Sequence, residues 1–196
     1  MALKSSNLQS NLEAAFTKQR DSEASNQQAS ANDLATAIVD YAKDASILVA
    51  GTPPLIPIPP PAVPTPDATI IGQQAKINPA IAQAGQALLF GQINASFTAM
   101  DPTLNLISAA IITYITTFTI FTIGGITCVG ATVPTTPPIF APMSLKGLDG
   151  GSIEEVTDIM ANILHLTFST AIFNGTVINA TSGAVIPGVL TPSILM

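Results

Sequence analysis

At 196 residues the chain is long enough for one domain with a core of ordinary size. Its net charge of -6, with Lys4, Lys18, Arg20, Lys43, Lys76 and Lys146 scattered and mostly beside acids, excludes a nucleic-acid surface, which needs clustered cations to displace counterions. A single cysteine excludes an internal disulfide, and one His with one Cys excludes a metal centre built from those ligands.

Charged residues make up only 9% of the chain, against roughly 25% in ordinary soluble domains. They are also confined: ten of the eighteen precede residue 45, and none lies in 103–145 or 159–196. The apolar fraction of 47% is normal, so the mean hydropathy of +0.49 reflects missing charge, its place taken by Thr, Ala, Ile and Pro. Surfaces this poor in charge are covered by lipid or by other polypeptides.

In chain order, Met1–Ser6 lacks the apolar run of a signal peptide. Residues 6–20 place Leu8, Leu12, Ala15 and Phe16 at helical spacing. Residues 21–32 are polar, a loop or a helical extension. A second helix is expected over 33–47, capped by Asn32, with Leu34, Ile38, Tyr41 and Ala45 as its stripe. Residues 51–66 are dominated by proline and predict polyproline II. That segment reads as a stiff spacer or, because it carries Leu55, Ile56, Ile58 and Val63, as an arm laid along a neighbour.

A third helix is expected over 79–99, with Asn78 as cap and Pro79 first. A fourth segment opens with Asp101-Pro102 and runs to about Thr122, stopped by Gly124-Gly125. Its front half suits a helix and its back half a strand; its cap and length favour helix. Residues 124–151 read as an irregular Gly/Pro-rich loop. Ser152 and Glu155 form a capping box opening a helix to about Thr170. Ala171–Ile178 reads as a hairpin turning at Asn174-Gly175, and the tail from Gly183 as extended. The expected fold is mainly α: a small helical domain with extended Pro-rich arms and a C-terminal β-hairpin. The expected divisions are a helical pair over 1–50, an arm or linker over 51–75 and an apolar helical domain over 76–196.

Catalytic chemistry is poorly supplied. His165 lies on or beside the apolar stripe of its helix, where a satisfied structural role is expected, and no Gly-x-Ser-x-Gly elbow is present. Gly147–Gly151 lacks the Walker pattern. Cys128 sits in an apolar run and reads as an inert buried thiol. No enzyme activity, cofactor, metal or small-molecule substrate is expected. Residues 104–123 meet the length rule for a membrane span, but they are rich in Thr, and the uncharged 159–196 carries turn signals unsuited to lipid. Burial against protein accounts for both stretches.

The pattern Ala2-Leu3-Lys4-Ser5-Ser6-x-Leu8-x3-Leu12-x3-Phe16, followed by Leu34-Ala35-x-Ala37-Ile38-x2-Tyr41, resembles the start of small virion-associated structural proteins of tailed bacteriophages. The charge-poor, Thr-Pro-Pro-bearing remainder is similar to those proteins in composition only. The resemblance implies a place in the virion, assembled in the host cytoplasm, with other virion proteins or copies of the chain as partners. Tail, neck or baseplate is the first expectation. A capsid cement or decoration protein is second, and an integral membrane protein with one span near 104–123 is third. The candidate interface residues are Leu8, Leu12, Phe16, Leu34, Ile38, Tyr41, Leu55, Ile56, Ile58, Val63, Ile139 and Phe140.

Overall fold

The structure is a computed structural model that describes residues 3–21, 27–56, 65–99, 104–140, 150–181 and 187–196. It corrects the mainly α expectation. Among the described residues, five α-helices are joined to an antiparallel sheet in a mixed α/β fold. The helices are α1 (Ser5–Asp21), α2 (Gln27–Ala42), α3 (Pro79–Thr98), α4 (Asn105–Thr116) and α5 (Ile153–Ser169). The strands are β1 (Ser46–Leu48), β2 (Leu55–Ile56), β3 (Thr65–Pro66), β4 (Gln74–Ile77), β5 (Ile120–Ile123), β6 (Ile126–Val133), β7 (Ile172–Asn179), β8 (Gly188–Val189) and β9 (Ser193–Ile194).

The main sheet runs β1-β4-β5-β6-β7, with β8 and β9 end to end along the far side of β7. Every pairing is antiparallel: Ser46 opposite Lys76, Lys76 opposite Thr122, Ile120 opposite Val129, Cys128 opposite Val177, Thr176 opposite Val189 and Ile172 opposite Ile194. The sheet curls until its two edges bond to each other. Ser46 and Met196 exchange backbone hydrogen bonds of 3.1 and 2.9 Å, the Thr191 amide donates to Ala50 at 2.8 Å, and Gly51 bridges Leu190. Closure of this kind leaves few unpaired edge groups to template aggregation.

Short junctions place all the helices at one end of this sheet. α2 leads into β1, β4 into α3, α4 into β5 and α5 into β7, and in an antiparallel sheet those strand ends lie together. The molecule therefore has a helical tier and a sheet tier. Within the first, α1 packs on α2 and α5, and α3 packs on α2 and α4. Buried side chains from Leu3 to Leu195 form one continuous core, so residues 1–50 are built into the same body as 76–196.

Aromatic rings lock the tiers together. Phe168 of α5 lies 5.5 Å from Tyr41, 6.4 Å from Tyr114 and 6.0 Å from Phe118, and Tyr114 and Phe118 meet edge-on at 5.0 Å. Offset and edge-on rings contribute about 0.5–1.5 kcal/mol per pair beyond their buried area. The Tyr114 hydroxyl donates to the Ala82 carbonyl of α3 at 3.0 Å, and its ring lies over Gly85. A Cβ at Gly85 would stand 2.4 Å from the Tyr114 ring. Gly85→Ala is expected to cost about 1–3 kcal/mol by forcing that ring out of place, read as a lower urea midpoint at unchanged slope.

Several local expectations are corrected. α2 begins at Gln27, so Asn32 is an exposed residue inside it rather than its cap, and the chain past Ala42 turns into β1. The segment 104–123 divides at Thr117: helix α4 before it, strand β5 after it, because the β-branched back half joins the sheet. Gly124-Gly125 is the β5–β6 turn. The supposed loop 124–151 holds β6, the supposed hairpin 171–178 is the single straight strand β7, and the supposed extended tail supplies β8 and β9. Asn78 and Pro79 open α3, and the Ser152–Glu155 capping box opens α5. Asp101-Pro102 lies outside the described residues.

Candidate functional site

Side chains alternate across a strand, and here the two faces of the sheet differ in burial more than in polarity. Ile47, Ala75, Ile77, Phe121, Cys128, Phe173 and Val177 point inward and are fully buried, with Phe121 and Phe173 in edge contact at 4.9 Å. The outward set is unusual. Val129 (46% exposed), Val133 (51%), Val189 (62%), Ile194 (54%) and Leu48 (41%) stand in water among Thr127, Ala131, Asn174 and Thr176. Register joins them. Ile120, Val129, Thr176 and Val189 make one row, and Val133, Ile172 and Ile194 make another. Leu48 continues the second row across the closure, since its amide donates to Ser193 Oγ at 3.2 Å.

Charge is divided between the tiers in the same sense. Among the described residues, Glu13, Asp21, Asp33, Asp40, Asp44, Glu154, Glu155 and Asp158 belong to the helical tier, as do Lys4, Lys18, Arg20 and Lys43. Lys18 pairs with Asp33 at 2.8 Å and Lys43 with Asp40 at 2.7 Å. Among the described residues the outward sheet face carries one charged side chain, Lys76, between β1 and β5 and diagonal to Leu48. Asp67 is buried at the opposite end of the sheet, accepting from Thr69 and, at 2.9 Å, from Asn179 Nδ2. This exposed face, two apolar rows separated by Ala131 and Asn174, is the molecule's most anomalous surface.

The residues expected at an interface are distributed otherwise. Leu8, Leu12, Leu34, Ile38 and Tyr41 are buried in the chain's own helical core, with Phe16 packed against it. Leu55 and Ile56 are half-buried and pair antiparallel with Thr65–Pro66 in a two-stranded ladder. Ile58 and Val63 lie outside the described residues. Phe140 is buried, whereas its neighbour Ile139 is 65% exposed, on a strap held by Ser108 donating to the Pro138 carbonyl at 2.7 Å. Amphipathic spacing marks a buried face without saying what buries it. The signal that could have found the wall is the density of β-branched residues in 126–133 and 172–178.

Tyr41 Oη and His165 Nδ1 are 2.6 Å apart, joining α2 to α5. Among the described residues no three His, Cys, Asp or Glu side chains gather to hold a metal ion. A largely apolar cavity of about 140 Å³, lined by Phe16, Gln19, Leu34, Phe97, Leu104, Ile107 and Met160, is below the roughly 300–1,000 Å³ of ligand pockets. A larger hollow of about 340 Å³ between α2 and α3 is an open groove of Asn32, Gln83, Gln86, Ala87 and Phe90, with no nucleophile and base together. No described helix is long and apolar enough to cross a membrane. No protein-family model, curated protein or solved structure matches the chain.

Burial raises the Cys128 thiol from its ordinary 9.0 to about 11. It raises Tyr41 and Tyr114 too, the charge of Asp40 adding a smaller push on Tyr114. The unfolded chain releases the thiol proton near pH 9 and the folded chain near pH 11, so between them the folded state holds more protons and stability falls as pH rises. The contribution is complete below about pH 9. The urea midpoint is expected to be lower at about pH 10.5 than at pH 8, with a smaller drop in Cys128→Ala.

Proposed function

We propose that the chain is a non-enzymatic structural subunit of a tailed-phage virion, of its tail, neck or baseplate, acting through protein–protein contacts made by the neutral sheet tier. The observation that carries this reading is the exposed wall of Val129, Val133, Val189, Ile194 and Leu48, five apolar side chains on a chain whose described charges, Asp67 and Lys76 apart, are gathered in its helical tier. Obligate interfaces are apolar and depleted of charge at their centre, and such a face left in water favours association. The N-terminal pattern around Leu8, Leu12 and Phe16 adds the phage setting. The non-enzymatic part is supported by the side-chain inventory: His165 tied to Tyr41, Cys128 buried, and the groove between α2 and α3 lined by Ala, Gln, Asn and Phe.

A capsid cement protein would need the same wall, and position in the particle separates the two readings. Density-gradient fractionation of infected cells, followed by immunodetection without detergent, tests the proposal. The chain is expected to band with assembled particles, and immunogold labelling should mark the tail, neck or baseplate. Recovery only as free soluble protein or with membranes would contradict it.

A further inference from the structure

Resting on the reading of the wall as a contact surface, we propose that its occupant is a second copy of this chain, packed sheet face to sheet face in a closed two-fold dimer. The first ground is charge. A partner carrying ionised groups on its facing patch would leave them buried without counterparts, which costs several kcal/mol per ion. The wall itself is a neutral patch of the required chemistry, with Lys76 at its margin beside Leu48. Copies of a chain with net charge -6 repel one another wherever acids face acids. With the two-fold axis in the interface and across the sheet tier, the acidic helical tiers go to opposite ends of the dimer.

The second ground is geometry. The exposed Val129, Val133, Val189, Ile194 and Leu48 lie in two rows on one face, from β6 across β7 and β8/β9 to β1, with Ala131 and Asn174 between the rows and Thr176 within the first. A face that meets its own copy fits an isologous pair, in which the same patch serves both subunits; other exposed apolar side chains, Ile139, Leu166 and Leu106 among them, lie off this face. Strand spacing makes the face about 15–20 Å wide, and the eight residues of β6 make it about 25 Å long. That projects to about 400–500 Å², against about 800 Å² per partner in a standard stable complex. An interface of that size belongs to the weak class, so the dimer is concentration-dependent outside the assembly. A bilayer suits the face poorly, because membrane strands need about 9–11 residues and the longest here have eight.

The test is sedimentation velocity of the full chain, without detergent, from about 1 to about 200 µM. The mass is expected to rise from one chain to two over that range. Two variants carry Val129, Val133 and Val189 all replaced, by Glu in one and by Lys in the other. Each is expected to remain monomeric with unchanged far-UV circular dichroism, and their equimolar mixture is expected to restore the dimer, a rescue that misfolding cannot produce. If a triple variant fails to fold, the single Val133→Glu and Val133→Lys chains serve in its place. A wild type monomeric throughout, folded variants that still dimerise, or a mixture that stays monomeric would overturn the proposal. So would binding of the wild-type monomer to phosphatidylcholine vesicles through this face. A monomer that still bands with virions would remove the dimer and leave the subunit reading standing.

Discussion

Replacing Phe168 with alanine is expected to destabilise the fold by about 3–5 kcal/mol, the range for emptying a large aromatic site in a core. The ring is fully buried and touches Tyr41 from α2 and both Tyr114 and Phe118 from α4 and the turn into β5. Its loss opens a cavity where three helices meet the start of the sheet, and those rings cannot collapse into the gap without moving backbone. For a chain of this length such a change corresponds to a fall of roughly 6–20 °C in Tm. Leu166, two residues away on α5 but 52% exposed, supplies the comparison: Leu166→Ala is expected within about 0.5 kcal/mol of wild type. Equal effects from the two substitutions would mean that α5 does not turn the Phe168 face inward.

Gly130→Ala is the second large effect. β6 and β7 approach so closely at Gly130 and Gly175, which lie opposite each other, that a Cβ on Gly130 would stand 2.0 Å from the Asn174 carbonyl oxygen and 2.6 Å from the Gly175 Cα. Both are backbone atoms of the partner strand, so relief requires parting the longest ladder in the sheet. The cost is expected to reach about 3 kcal/mol or more, the upper end of overpacking. Gly91, on the exposed side of α3, has open space around it. Gly91→Ala is expected to stabilise by about 0.5–1 kcal/mol through helix propensity. Urea unfolding of the two variants side by side should give opposite signs; a neutral Gly130→Ala would contradict the close approach of β6 and β7.

The helices were legible where local chemistry is unambiguous. Asn78-Pro79 and Ser152 with Glu155 mark helix starts by satisfying orphan amides, and the structure begins α3 and α5 there. The start of α2 is not legible because the helix is buried around much of its circumference and rich in Ala, so its periodic stripe is blurred and Asn32 imitates a cap. The sheet was hidden for a physical reason. Strands announce themselves when apolar and polar residues alternate, and in 126–133 the outward Val129 and Val133 are as apolar as the inward Ile126 and Cys128. Asn174-Gly175 looked like a turn because glycine tolerates turn geometry. Here glycine answers a different need, the absence of a side chain opposite Gly130. The same blurring concealed the candidate site. Leu8, Leu12, Leu34 and Ile38 satisfy every sequence criterion for a contact face, and the chain's own helices cover them. The exposed wall depends on register between strands distant in sequence, which spacing within any one segment cannot reveal.

Hydroxyl-radical footprinting read by mass spectrometry, applied to the native assembly and to the isolated chain at low concentration, tests most directly whether the neutral wall is a contact surface. Val129, Val133, Val189 and Ile194 are compared with Leu106 and Leu166, apolar residues of the helical tier with exposures of 44% and 52%. Strong protection of the four wall residues in the assembly, with Leu106 and Leu166 labelled as in the isolated chain, is the expected result. Wall residues oxidised equally in both samples would contradict it.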